Sequence, residues 1–368
     1  MNQTFTSESV CAGHPDKICD QISDAIVDSA LSQDKYARVA VETLVTRDKT
    51  ILAGEVTLAG EIDYENVAKG VIRKLGYTDD KLGYSDRSPI SVFIHKQSQT
   101  ISDVVDKAGA GDQGIMYGYA TNETAEFMPT PIVLSHTFAH EIDRLRESKK
   151  IPYLRPDGKT QVTIQYKDGK PYKILNIVLA APHKENVTPD QVKEDFYENI
   201  IVPMSDKFGF ALISRENVYV NGGPWYIGGP ASDTGVTGRK IIVDSYGSFA
   251  RVGGGAFSGK DPTKVDRSMA YFARYIAKNI VAHGLADKVE TRLAFTFGGH
   301  YPLMSDFDTF GTSKSPNNVI VDFVKSLVGN LSVSEVIDFL ELRNPIYLAT
   351  AAYGHFGRED FPWEKIRA

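Results

Sequence analysis

Residues 160–180, TQVTIQYKDGKPYKILNIVLA, restrict the fold more than any other stretch. Two runs of alternating apolar and polar residues flank Lys167-Asp168-Gly169-Lys170, and Asp-Gly readily supplies the positive φ angles of a tight hairpin. Such a pair is antiparallel, so a purely parallel, doubly wound sheet is excluded. ARVAVETLVT and TILAGEVTLAG, turning at Arg47-Asp48-Lys49, repeat the pattern. Helical periodicity separates these pairs. From Pro15 to Leu31, Ile18, Ile22, Ala25, Ile26 and Ala30 form one face, while Asp16, Asp20, Asp24 and Asp28 recur every fourth residue on another. Further helices are expected at YENVAKGVIRKLG closing on Gly76, at IVLSHTFAHEIDRLRES, from Pro189, and at PTKVDRSMAYFARYIAKNIVAHG. In the last of these Asp261 suits a cap, Pro262 the first helical position and Gly284 the C-terminal cap. ENVYV and KIIVDSYG read as strands around a glycine-rich run, and residues 101–125, rich in Gly, Asp, Ala and Thr, read as loop. The fold class is therefore α+β, with several small mixed or antiparallel sheets and helices.

The 368 residues suggest two or three domains. A net charge of −6 gives no reason to expect nucleic acid, so any anion site must be a local cluster of Lys and Arg. No window approaches about eighteen apolar residues, and MNQTFTSESV lacks a basic segment followed by an apolar one, so a cytoplasmic protein without membrane insertion is expected. Cys11 and Cys19 read as reduced packing thiols.

The candidate chemistry lies in loops. In GGGAFSGKDPTK, residues 253–264, Gly254 and Gly259-Lys260 have Walker-loop spacing, but Asp261 replaces the Ser or Thr that would hold magnesium. Lys260, Lys264 and Arg267 near a helix N-terminus suit phosphate, and Asp266 would complement a divalent cation shared with it. His14, Asp16 and Lys17 crowd the start of another helix behind Gly13, a trio suited to phosphoryl or metal chemistry. Gly228-Gly229-Pro230 and GVTG bracket Asp233, and Arg239-Lys240 follow. Taken singly, Asp157-Gly158-Lys159 and GAGDQG read as turns, and Glu42 and Glu55 as solvated strand residues.

Together GHPDK (13–17), GAGDQG (109–114), GRKIIVD (238–244) and GGGAFSGKDPTKVDRS (253–268) resemble, in order, the signatures of the S-adenosylmethionine synthetase family; the similarity runs from Phe5 to FPWEK. The resemblance implies three related domains woven from non-contiguous segments, with 1–100, 101–230 and 231–368 as approximate N-terminal, central and C-terminal sequence segments. It further implies attack of the methionine sulfur on C5′ of ATP, cleavage of the displaced triphosphate to phosphate and diphosphate, and sites at the interface of a homodimer, commonly paired into a homotetramer. A nucleotide-binding homologue without turnover is the alternative.

By matching position, His14, Lys159, Arg239, Lys260 and Asp233 are expected to be catalytic. ATP would be contacted by these together with Asp112, Asp157, Trp225, Tyr226, Lys240 and Ala256. Methionine would be held by Glu55, Gln97, Asp233 and Lys264, Mg²⁺ by Asp16 and Asp266, and K⁺ by Glu42. Three features depart from the family pattern: Cys11-Ala12 replaces Ser-Glu, Asn221-Gly222-Gly223-Pro224-Trp225 lacks the usual Arg, and the 97–109 loop is shorter by about five residues.

Overall fold

The hairpin at 160–180 forms as its sequence dictates. In the computed structural model, which describes residues 3–96 and 109–367, β6 (Lys159–Lys167) and β7 (Lys170–Ala180) pair antiparallel across Asp168 and Gly169, whose φ angles are 52° and 76°. β1 (Gln3–Val10) joins β6 antiparallel, and β8 (Val218–Val220) joins β7 parallel. In a second sheet β2 (Arg38–Thr46) and β3 (Lys49–Thr57) form the other expected hairpin; β4 (Ile90–His95) flanks β3 in parallel, and β9 (Gly235–Val236) flanks β2. A third sheet has the order β11 (Met304–Asp308), β10 (Lys288–Phe295), β5 (Gly114–Thr121). The first sheet joins strands more than 140 positions apart, as a fold woven from non-contiguous segments requires.

Helix α1 (Pro15–Gln33) packs on β2, with α2 (Tyr64–Lys74) beside it, and α3 (Thr130–Glu147) lies against β1 and β6. α4 (Pro189–Phe196) runs through a π turn into α5 (Val202–Phe208). The short α6 (Ile241–Asp244) precedes α7 (Val265–Ala282), which packs on β5 and β10; α8 (Asn317–Val328) and α9 (Val333–Phe339) follow. One buried cluster runs from Ile18, Ile22 and Ile26 through Val39 and Leu52 to Tyr271 and Trp363; another joins Phe138 and Ile142 to Val162, Leu179 and Phe196.

Four local expectations are corrected. KIIVDSYG is not a strand: despite its β-branched residues, Asp244 N–H donates to the Lys240 carbonyl at 2.8 Å and the chain turns as α6, which places the Asp244 carboxylate on buried Lys17. Within the stretch read as loop, residues 114–121 form β5. Gly118 there reflects close approach, since a Cβ on it would lie 2.1 Å from the Ala273 carbonyl oxygen of α7. In ENVYV only Val218–Val220 is strand. Finally, α7 starts at Val265, not Pro262. Buried Asp261 caps the preceding turn, accepting from Thr263 N–H at 2.8 Å and Thr263 hydroxyl at 2.6 Å, and also binds Val39 N–H at 2.7 Å.

Candidate active site

Glycines let the chemistry-bearing loops approach one another backbone to backbone. A Cβ on Gly13 would lie 2.1 Å from the Pro156 oxygen, which joins GHPDK to RPDGK; one on Gly235 would lie 2.2 Å from Pro15, joining the 228–240 loop to the start of α1. His14 is the N-cap of α1, buried, and its Nδ1 accepts Asp16 N–H at 3.2 Å, leaving the ring proton on Nε2. Burial, then the Lys240 and Lys159 charges, lowers its pKa to about 3. It is a neutral imidazole beside cations. Asp16 accepts Lys240 Nζ at 2.5 Å and Val236 N–H at 3.0 Å, with Arg239 Nε at 3.5 Å. Although burial raises Asp16, those bonds and the Lys240 charge pull it below the ordinary carboxylate range. Asp157, also buried, binds Gly158 and Gly229 N–H, both at 2.7 Å, yet burial raises it to about 6. Lys159 at the start of β6 and Asp233 in the 228–240 loop are exposed.

A second set gathers around 253–266. Lys260 Nζ donates to Asp266 Oδ2 at 2.7 Å, and Lys264 Nζ to Asp261 Oδ2 at 2.7 Å. A Cβ on Gly255 would lie 2.2 Å from Asp266 Cγ, and one on Gly114 would lie 3.3 Å from its Oδ1, so the end of GAGDQG abuts the same carboxylate. Lys260 bridges β2 at Ala40, opposite Glu55, and Glu42 is two residues along on that sheet face. Desolvation and the Glu55 charge raise Glu42, against the pull of Lys260. Asp112 is exposed, and Ala256 touches the Gly238 turn. Among the described residues no ion pair or side-chain hydrogen bond joins the His14–Asp16–Lys240 set to the Lys260–Asp266 set.

Two cations assigned to phosphate by sequence point elsewhere. Arg267 is fully buried and holds Asp24 through two bonds of 2.6 and 2.8 Å; Lys17 is fully buried between Asp20, at 2.9 Å, and Asp244. Gln97 lies outside the described residues, as does most of the short loop. Trp225 is half-buried, its indole N–H donating to the Ile227 carbonyl at 2.9 Å, with Tyr226 edge-on to His183. Cys11 packs with its Sγ 3.5 Å from the Ala139 carbonyl, and burial pushes its thiol well up, which makes it unreactive.

Among the described residues no three His, Cys, Asp or Glu side chains form a metal cage. Asp16 and Asp266 each offer one hard carboxylate beside a lysine, a donor set that fits magnesium shared with phosphate oxygens rather than an all-protein site. A neutral donor imidazole, Lys and Arg around single carboxylates, and glycine loops that bring backbone close define an enzyme of polyphosphate chemistry on an α+β fold.

Comparison with known proteins narrows the class. Profiles of the S-adenosylmethionine synthetase N-terminal, central and C-terminal domains match residues 2–99, 107–223 and 227–365. The chain is 46% identical over 387 residues to the S-adenosylmethionine synthase of Clostridium tetani, covering 100% of this chain and 97% of that protein. To that of Pseudothermotoga lettingae it is 48% identical over 389 residues, covering 100% and 98%. The chain belongs to the S-adenosylmethionine synthetase family.

Proposed function

We propose that the chain is a methionine adenosyltransferase, forming S-adenosylmethionine from ATP and L-methionine. The observation that carries the chemistry is the His14–Asp16–Lys240 cluster, a neutral N–H donor among cations. The thioether sulfur needs no base. Its lone pair attacks C5′, the C5′–O bond breaks with its electrons passing to the triphosphate, and a sulfonium forms. Rate then depends on alignment and on stabilising charge at the departing oxygen. His14 Nε2 donates to that oxygen, while Lys159, Arg239, Lys240 and Lys260 clamp the triphosphate. Water subsequently cleaves it to phosphate and diphosphate.

Asp233 with Glu55, Gln97 and Lys264 would hold methionine; Asp112, Asp157, Trp225, Tyr226 and Ala256 would line the nucleotide. The family's metal dependence fits Mg²⁺ at Asp16 and Asp266, supplying charge neutralisation on the phosphates, and K⁺ at Glu42, relieving its repulsion from Glu55. The two unconnected sets support a site completed by a second copy, in a homodimer that pairs into a tetramer, and a cytoplasmic location suits a chain in which no described helix is long and apolar enough to cross a membrane. With His14, Lys260, Lys264 and Asp266 all present, no observation favours a non-catalytic homologue.

Isotope position tests the reaction. With ¹⁸O in the bridge between C5′ and the α-phosphorus, the label should leave entirely in the inorganic products. Label retained on an adenosine 5′-phosphate product would instead establish transfer at phosphorus, as in a P-loop phosphotransferase.

A further inference from the structure

A cavity of about 710 Å³ opens between α3, the α1–α2 pair and the segment 348–358, and none of its described lining residues belongs to either charged set of the candidate active site. Its charges are unbalanced. Three lining carboxylates are already held by arginines: Glu141 accepts Arg144 Nε at 2.7 Å, and Asp143 and Glu147 accept Arg146 Nη2 at 3.2 and 3.0 Å. Among the described residues the lining cations Lys74, Lys207 and Arg358 pair with no carboxylate, against a single unpaired acid, Glu126. Lys74 and Lys207 are exposed, but Arg358 is largely buried. Its Nη2 donates to the Ala349 and Gly354 carbonyls at 2.7 and 2.9 Å, the Phe361 ring covers one face of the guanidinium at 4.4 Å, and its buried Nε has no partner. Burial lowers Arg358 to about 10. The acids nearest to it are committed or solvated, Glu364 to Arg274 and Lys278, both at 2.9 Å, and Asp360 to water at the surface. The Arg358 charge also adds to burial in lowering His136, on the same cavity wall, to about 3. A guanidinium withdrawn from water without a counter-ion is costly.

We propose that this cavity binds a small organic carboxylate, whose planar head pairs with the edge of Arg358 and whose apolar body lies against Met128, Val133 and Phe356. The volume is that of a pocket for a metabolite-sized ligand, and its apolar lining with a few convergent polar groups is the usual make-up of one. The sequence points to the same missing charge. Ala12, which stands where the family pattern has Glu, lines this cavity. A glutamate there would bring a carboxylate to the wall; alanine brings none, and an anion from solution supplies it. Ala12 N–H is fixed by Asp143 at 2.9 Å, and His14 follows two residues later, so the occupant lies behind the segment that carries the neutral imidazole.

Benzoate is the probe, and its binding is read directly, so the site stands or falls independently of the proposed reaction. Calorimetric titration of the full-length wild-type protein should show one saturable benzoate site per chain, in the millimolar range expected of so small a ligand. A saturating non-hydrolysable ATP analogue with Mg²⁺ should leave it unchanged, because the cavity shares no lining residue with the two charged sets. Benzamide, of the same shape but neutral, and inorganic phosphate, anionic but without an apolar body, should each bind at least about fivefold more weakly. Arg358→Gln should weaken benzoate by at least about fivefold as well. Ala12→Glu keeps Arg358 and supplies a carboxylate from the chain itself; it should cause the same loss, and it decides the matter if Arg358→Gln does not fold. Absence of saturable binding up to about 50 mM benzoate, displacement by the ATP analogue, or a smaller difference in any of these comparisons would overturn the site.

Discussion

At the scale of single residues, burial and fixed neighbours decide charge states. His14 stays neutral because burial and two lysines oppose its protonation, so it acts as a donor without titrating near neutrality. His14→Asn should lower kcat by about 10²–10³ while leaving the shape of the kcat profile between pH 6 and 9 unchanged; disappearance of an ionisation in that range would assign His14 an acid–base role. Asp28 shows the opposite case. It has backbone donors but, among the described residues, no ion-pair partner, and burial raises it to about 6 against the pull of those donors and of the Arg267 charge. The folded state then holds the proton more tightly than the unfolded chain, so this group's contribution to stability is greatest at low pH and is lost as pH rises through about 6. An asparagine at this position cannot titrate, so the stability of Asp28→Asn relative to wild type should increase by about 1 kcal/mol between pH 5 and pH 8. Denaturant melts at the two pH values check the sign; a difference that shrinks would contradict it.

At the scale of elements, α1 and α7 are braced by buried ion pairs that periodicity alone does not reveal. The sequence makes the four-residue spacing of Asp16 to Asp28 visible, but a charged stripe on an amphipathic helix ordinarily faces water, and only the loops folding over it turn the stripe inward. Arg267 misleads in the same way: its position in the first turn of α7 suits phosphate, yet the side chain turns to Asp24 and to the Thr350 hydroxyl at 3.0 Å. Arg267→Met should therefore cost about 3–5 kcal/mol of stability by stranding Asp24. Loss of ATP affinity at unchanged stability, measured by calorimetry and melting, would restore the phosphate reading. Both hairpins and the long helices were legible because their periodicity and turn residues agree with their tertiary setting. β5 and α6 were not, because Gly118 serves helix packing and Ile241–Val243 yield to the Asp244–Lys17 pair. Of the site, the loop motifs could be read directly; the pairing of Asp16 with Lys240 and Asp266 with Lys260 depends on contacts across 224 and 6 positions, of which the longer has no local signal.

At the scale of the whole molecule, each chain carries two half-sets of charged groups that no ion pair or side-chain hydrogen bond joins among the described residues, as expected if a second copy completes each site. Mixing His14→Ala with Lys260→Ala protein under exchange should then restore activity, since a mixed dimer holds one doubly altered site and one intact site. Random reassortment predicts roughly a quarter of wild-type activity; no gain over the separate variants would place both residues in one chain's own site. The most direct measurement of the reaction is its product balance. Purified protein with ATP, methionine, Mg²⁺ and K⁺, followed by chromatography, should yield S-adenosylmethionine, phosphate and diphosphate in equal amounts, and none of them without methionine at a comparable rate. Consumption of ATP to ADP and phosphate with no sulfonium product would contradict the account.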